Sequence, residues 1–131
     1  MIADLTNLAD QFEGSPLCRD TGEADSHVTR EAWDRAIDTL LEIRTLKDDW
    51  DGLGAPAPAP VVVDTAIRLA GWMQGKDITP PSRVVQSLDG AVVFEWQSDG
   101  GRTQLDVEVT SPSGGEVTLF KDGRVTLHQS F

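Results

Sequence analysis

In the stretch Thr103-Gln104-Leu105-Asp106-Val107-Glu108-Val109, polar and apolar residues alternate without a break from Gln104 onward. A period of two puts Leu105, Val107 and Val109 on one face of a β-strand and Gln104, Asp106 and Glu108 on the other. One buried and one wet face is the signature of an antiparallel sheet, because strands of a parallel sheet are covered on both sides and read as continuous apolar runs. Working outward from this strand, Ala91–Gln97 places Val92, Phe94 and Trp96 on one face, and Val84 and Val85 open a strand before it. Val117 with Leu119, then Val125 with Leu127, supply two more short strands. Turn signals separate them at Asp89-Gly90, Ser98–Gly101, Pro112–Gly115 and Asp122-Gly123. The pattern predicts a four- to five-stranded antiparallel meander over residues 83–129.

Upstream the period changes to that of a helix. Trp33, Ala36, Ile37, Leu40, Leu41 and Ile43 form one apolar stripe. Thr29 suits the N-cap and Glu31 puts a carboxylate in the first turn, which predicts a helix over 29–47. A second helix, 60–74, starts at Pro60, where a missing N–H costs nothing, and buries Val62, Val63, Ala66, Ile67, Leu69, Ala70 and Met73 before Gly75. Pro80-Pro81 bars either periodic structure at that point. Between the helices, Asp48-Asp49-Trp50-Asp51-Gly52-Leu53-Gly54 runs into Ala55–Pro60, a strict Ala-Pro alternation that favours an extended spacer. Residues 1–28 form an acidic N-terminal segment. Within it, Leu5, Leu8 and Phe12 predict a short helix over Ile2–Phe12, and Gly14–Ser26 reads as a linker. The expected fold is α+β: a single domain, 29–131, with two helices covering one face of the meander and the short N-terminal helix attached.

Charge narrows the partners. The 131 residues carry 22 acids and 11 bases, a net charge of −11. Thirteen acids and five bases lie in residues 1–60, so the excess is concentrated there. Direct binding of phosphate backbones or anionic membranes needs the opposite sign, so neither is expected, whereas a basic protein partner is favoured. Acidity also serves plain solubility. The single cysteine, Cys18, cannot close an internal disulfide, no apolar run reaches membrane-spanning length, and the N-terminus has no basic leader region. A cytoplasmic location is the expectation.

The order helix, Leu46-Lys47-Asp48-Asp49-Trp50-Asp51-Gly52, Gly54 and prolines, second helix, Pro80-Pro81, Asp89-Gly90 and Phe94-Glu95-Trp96 resembles a loose group of small bacterial and phage-type proteins marked by a Trp-Asp-Gly turn and a later Leu/Phe-Glu-Trp strand. The resemblance spans about residues 37–110. It carries no activity and no functional residue over to this chain.

Several residues can bear chemistry. Asp48, Asp49 and Asp51 crowd three carboxylates beside two glycines, and oxygen clusters suit calcium or magnesium. The spacing fails the EF-hand pattern: counting from Asp49, Leu53 and Pro60 fall where carboxylates are required. The simpler reading is a helix end at which the aspartates and Gly52 make a turn and Trp50 plugs the core. His27 and His128 are far apart with no zinc-ligand neighbours, and His128 is expected to face outward. Cys18 beside Arg19 has no base to activate it. Glu95, Asp106 and Glu108 are expected to line an acidic, solvated outer face of the sheet, where carboxylate pairs are of the type used on sugars. Trp72, off the main stripe of the second helix, either anchors an interface or caps the sheet edge.

These residues support three classes of function. The first is a non-enzymatic acidic binding module of the antitoxin, immunity-protein or phage-inhibitor kind, engaging a basic partner through Leu5, Leu8, Phe12, Asp48, Asp49, Asp51 and Trp72, with no cofactor and no metal. The second is a metal-dependent hydrolase centred on Asp48, Asp49 and Asp51. The third is a nucleic-acid mimic or a structural subunit.

Overall fold

The computed structural model describes residues 26–131. Helix α1, Ser26–Ile43, and helix α2, Pro60–Gly75, precede five strands: β1 (Arg83–Gln86), β2 (Val92–Ser98), β3 (Thr103–Ser111), β4 (Gly114–Lys121) and β5 (Arg124–Ser130). The strands form one antiparallel sheet in the order β1-β2-β3-β4-β5, a meander. The fold is α+β, as the periodicities imply. Leu5, Leu8, Phe12, Cys18 and the helix expected over Ile2–Phe12 lie outside the described residues.

The alternating strand behaves as its pattern dictates. Leu105, Val107 and Val109 are fully buried under the helices, next to Val92, Phe94 and Trp96 of β2. Trp33 and Leu40 from α1, and Val63, Ala66, Leu69 and Met73 from α2, complete this core. Two indoles fasten the segment after α2. Trp33 Nε1 donates to Ile78 O at 3.0 Å, and Trp96 Nε1 donates to Thr79 O at 2.7 Å. A helix and a strand thereby grip consecutive carbonyls of one loop, and both indole N–H groups are satisfied. Thr65, fully buried on α2, shares its hydroxyl proton between Val61 O and Pro112 O, at 3.0 and 2.8 Å, which ties α2 to the β3–β4 turn.

Several details differ from the sequence reading. Helix α1 begins at Ser26 and stops at Ile43, not at Lys47. The chain tightens there into three-residue turns, Thr45 N–H to Glu42 O and Leu46 N–H to Ile43 O, and the Thr45 hydroxyl also takes Glu42 O at 2.7 Å. Thr29 therefore lies inside the helix instead of capping it. Leu41 is half exposed on the outer side of α1. Strand β4 starts at Gly114, inside the expected turn, because Gly114 and Gly115 let neighbouring backbone come very close. A Cβ on Gly115 would sit 1.8 Å from Glu108 O. Val125 is 58 % exposed, since the register between β4 and β5 shifts between Leu119 and Phe120.

Candidate functional site

The loop that carries Asp48, Asp49 and Asp51 is knitted together by those same side chains. Asp51 Oδ1 accepts the N–H groups of Leu53 and Ala55, at 2.9 and 3.0 Å. Asp49 Oδ1 accepts Gly54 N–H at 2.7 Å, and Asp48 Oδ1 accepts Ala57 N–H at 3.0 Å. The two hydrogen bonds hold the Asp51 carboxyl below the ordinary carboxylate range. Trp50 does not plug the core as expected. It is half-buried, and its Nε1 donates to Pro56 O at 3.0 Å, so it props the Ala-Pro segment. The three aspartates thus turn toward backbone N–H groups of their own loop. Among the described residues, no group of three or more His, Cys, Asp or Glu side chains is placed to hold a metal ion. Trp72 is half-buried and packs against the core.

The sheet gathers charge differently. Strand register lines up two rows across its outer face. One row runs Arg83, Glu95, Asp106, Thr118, His128, and the next runs Val85, Val93, Glu108, Glu116, Ser130. Directly opposite residues on antiparallel strands hold their Cβ atoms about 5 Å apart. Glu95 therefore faces Asp106, and Glu108 faces Glu116: two like-charged pairs on adjacent rows. Like charges in this relation are destabilising, so the sheet tolerates here what sheets ordinarily avoid.

Partial compensation comes from the edges. Arg83 Nε bonds Glu95 Oε2, His128 Nε2 lies 3.4 Å from Glu116 Oε2, and Gln104 Nε2 donates to Asp106 Oδ1 at 2.9 Å. Glu95 was expected to be solvated. It does face outward, but only 8 % of it is exposed, shielded between strands and beneath the Arg83 guanidinium. Burial pushes the Asp106 carboxyl up, and Glu95 adds to that. Burial also raises Glu108, with further repulsion from Glu116, Asp89 and Asp106. Four carboxylates, one guanidinium and one imidazole thus share this face.

A concavity of about 200 Å³ lies between α1 and β1. Arg35, Thr39, Ser82 and Arg83 give it its polar lining, with no carboxylate, thiol or imidazole. It adjoins the acidic rows through Arg83, and its lining holds no base to activate the Thr39 or Ser82 hydroxyl.

Period two assigns Glu95, Asp106 and Glu108 to the outer face, but the pairings need the register. Glu116 was missed altogether. Its signal is Gly115-Glu116-Val117, in which Val117 faces the core and Glu116 must face away.

Comparison with protein-family models, with curated proteins and with solved structures found no match to this chain. No helix among the described residues is long and apolar enough to cross a membrane.

Proposed function

We propose that the chain is a non-enzymatic binding module whose outer sheet face receives a basic protein partner, as antitoxins, immunity proteins and phage inhibitors receive theirs. The supporting observation is the two pairs of directly opposed carboxylates, Glu95 with Asp106 and Glu108 with Glu116, on neighbouring rows. A fold selected only for stability would place opposite charges or neutral side chains there. A lysine or arginine inserted between the rows turns mutual repulsion into attraction, and a bidentate guanidinium matches carboxylate geometry best. The wider excess of acid, −11 over the chain, steers such a partner in. Asp48, Asp49 and Asp51 serve this reading indirectly, by stiffening the connector between the helices.

The test is a tagged full chain and its Asp106→Asn/Glu108→Gln/Glu116→Gln variant, each used to capture partners from the native host at low and high salt. A basic protein held by the parent at low salt, released at high salt and not held by the variant is the expected result. Equal capture by the variant, or capture insensitive to salt, removes the sheet face from consideration.

A further inference from the structure

The last strand, β5, ends the sheet, and its backbone shows which groups lie on the open edge. Phe131 N–H donates to Gly115 O at 3.0 Å and Gly115 N–H donates to Phe131 O at 3.2 Å, so these two residues form a hydrogen-bonded pair of the antiparallel ladder. Such pairs recur at every second residue. Gln129 and Leu127, which sit opposite Val117 and Leu119, therefore also turn their backbone groups toward β4. His128 and Ser130 turn theirs the other way, and among the described residues no strand pairs with that edge.

Three features separate this edge from the opposite one. Strand β1 is four residues long and packs against α1, whereas β5 is seven residues long. The helices lie over β1, β2 and β3, so β4 and β5 extend past the helical layer. Leu119 and Leu127, opposite each other on the helix-side face, are consequently only half-buried. Strand β5 also has no acid. Arg124-Val125-Thr126-Leu127-His128-Gln129-Ser130 is an acid-free run in a chain of net charge −11. It has no proline and no lysine, two of the devices that block edge-to-edge pairing.

We propose that this edge binds a second copy of the chain, β5 against β5 in antiparallel register, joining two five-stranded sheets into one. The charge distribution selects the occupant. With a net charge of −11 two copies repel one another as a whole, and the acid-free β5 edge adds no carboxylate to that repulsion. A two-fold axis makes the contact self-complementary. Pairing Thr126 of one copy with His128 of the other sets Leu127 opposite Leu127, beside the two Leu119 side chains, so the overhanging apolar face is covered by its own symmetry mate. This interface is independent of the acidic rows. It also responds oppositely to salt: screening weakens a basic partner's grip but relieves the repulsion between two acidic copies.

Sedimentation equilibrium on the full chain over a wide concentration range should show a monomer–dimer equilibrium that shifts toward dimer as salt is added. His128→Pro deletes an outward N–H without touching the β4 ladder. Two hydrogen bonds vanish per dimer by symmetry, so Kd should rise about tenfold or more. Ser130→Glu, which adds a carboxylate at the edge and demands nothing of the backbone, should weaken the dimer as well. In hydrogen exchange, the His128 and Ser130 amides should slow on dimerisation, while those of Leu127 and Gln129 stay protected throughout. A monomer at every concentration and salt overturns the proposal. So does a dimer that both variants leave intact.

Discussion

Replacing Glu108 by Gln should make the protein more stable. Glu108 faces Glu116 directly, and its carboxyl is raised by burial, by Glu116, and by Asp89 and Asp106 beyond it. A directly opposed like-charge pair costs up to about 1 kcal/mol, and the extra acids place Glu108 toward the upper part of that range. Gln keeps the shape and removes the charge. The expected gain is about 0.5–1 kcal/mol at neutral pH, which for a domain of this size is a rise of roughly 2–5 °C in Tm. The pH dependence fixes the cause. A carboxyl whose folded pKa is raised contributes fully below its unfolded pKa, and that contribution is lost as pH rises through the folded value. Wild type and variant should therefore converge as pH falls to about 4 and below, where Glu108 carries its proton, and diverge toward neutrality. Added salt should narrow the neutral-pH gap. Thermal unfolding followed by circular dichroism, at two pH values and two salt concentrations, measures all of this. A variant less stable than its parent at neutral pH, or a gain that persists unchanged in acid, would refute the electrostatic account of the rows. If Glu108 also contacts a basic partner, this stabilising change should weaken binding, the usual trade between stability and function.

Other substitutions test the scaffold. Trp33→Phe deletes the indole N–H that satisfies Ile78 O in a fully buried site, so the urea midpoint should fall by the equivalent of about 2–3 kcal/mol with the slope unchanged. Gly115→Ala forces a Cβ to within 1.8 Å of Glu108 O and must push β3 and β4 apart, costing about 3 kcal/mol or more, whereas Gly71→Ala on the exposed side of α2 meets no atom and should add about 0.5–1 kcal/mol; thermal melts compare them directly. Asp51→Asn should lower Tm at neutral pH, because the ionised carboxylate is the better acceptor for Leu53 and Ala55 N–H. The folded pKa of Asp51 is depressed, so its contribution is present above the unfolded value and lost as pH falls through the folded one; melts in acid should bring parent and variant together.

The sheet was the most legible part of the chain because alternation in β2 and β3 fixes which side chains face the helices, and Asp89-Gly90 and Asp122-Gly123 fix where strands reverse. Helix α2 was equally plain, since Pro60 and Gly75 mark its ends. The end of α1 was not, because Arg44, Thr45 and Leu46 are good helix residues and only the hydroxyl of Thr45 and the tightened turns stop it. Trp50 misled because a large aromatic after an apolar stripe reads as core, while here the aspartates capture the loop's N–H groups and draw the ring onto Pro56. The rows were half visible. Period two tells which face Asp106 and Glu108 occupy, but their partners depend on register, and along β3–β4 that register includes the close approach of Gly115 to Glu108 O.

The connector between α1 and α2 has a practical consequence for anyone cutting or extending this protein. It is largely exposed and rich in small residues, the profile of a protease site or an insertion point. Yet Asp48, Asp49, Trp50 and Asp51 pin it at five places. It is a strut, and limited digestion should spare it. A fusion tag spliced there would splay the two helices it braces, whereas the tip at Asp122-Gly123, a tight reversal whose two residues adopt positive φ and point into solvent, would accept the same cargo with the helical plate undisturbed.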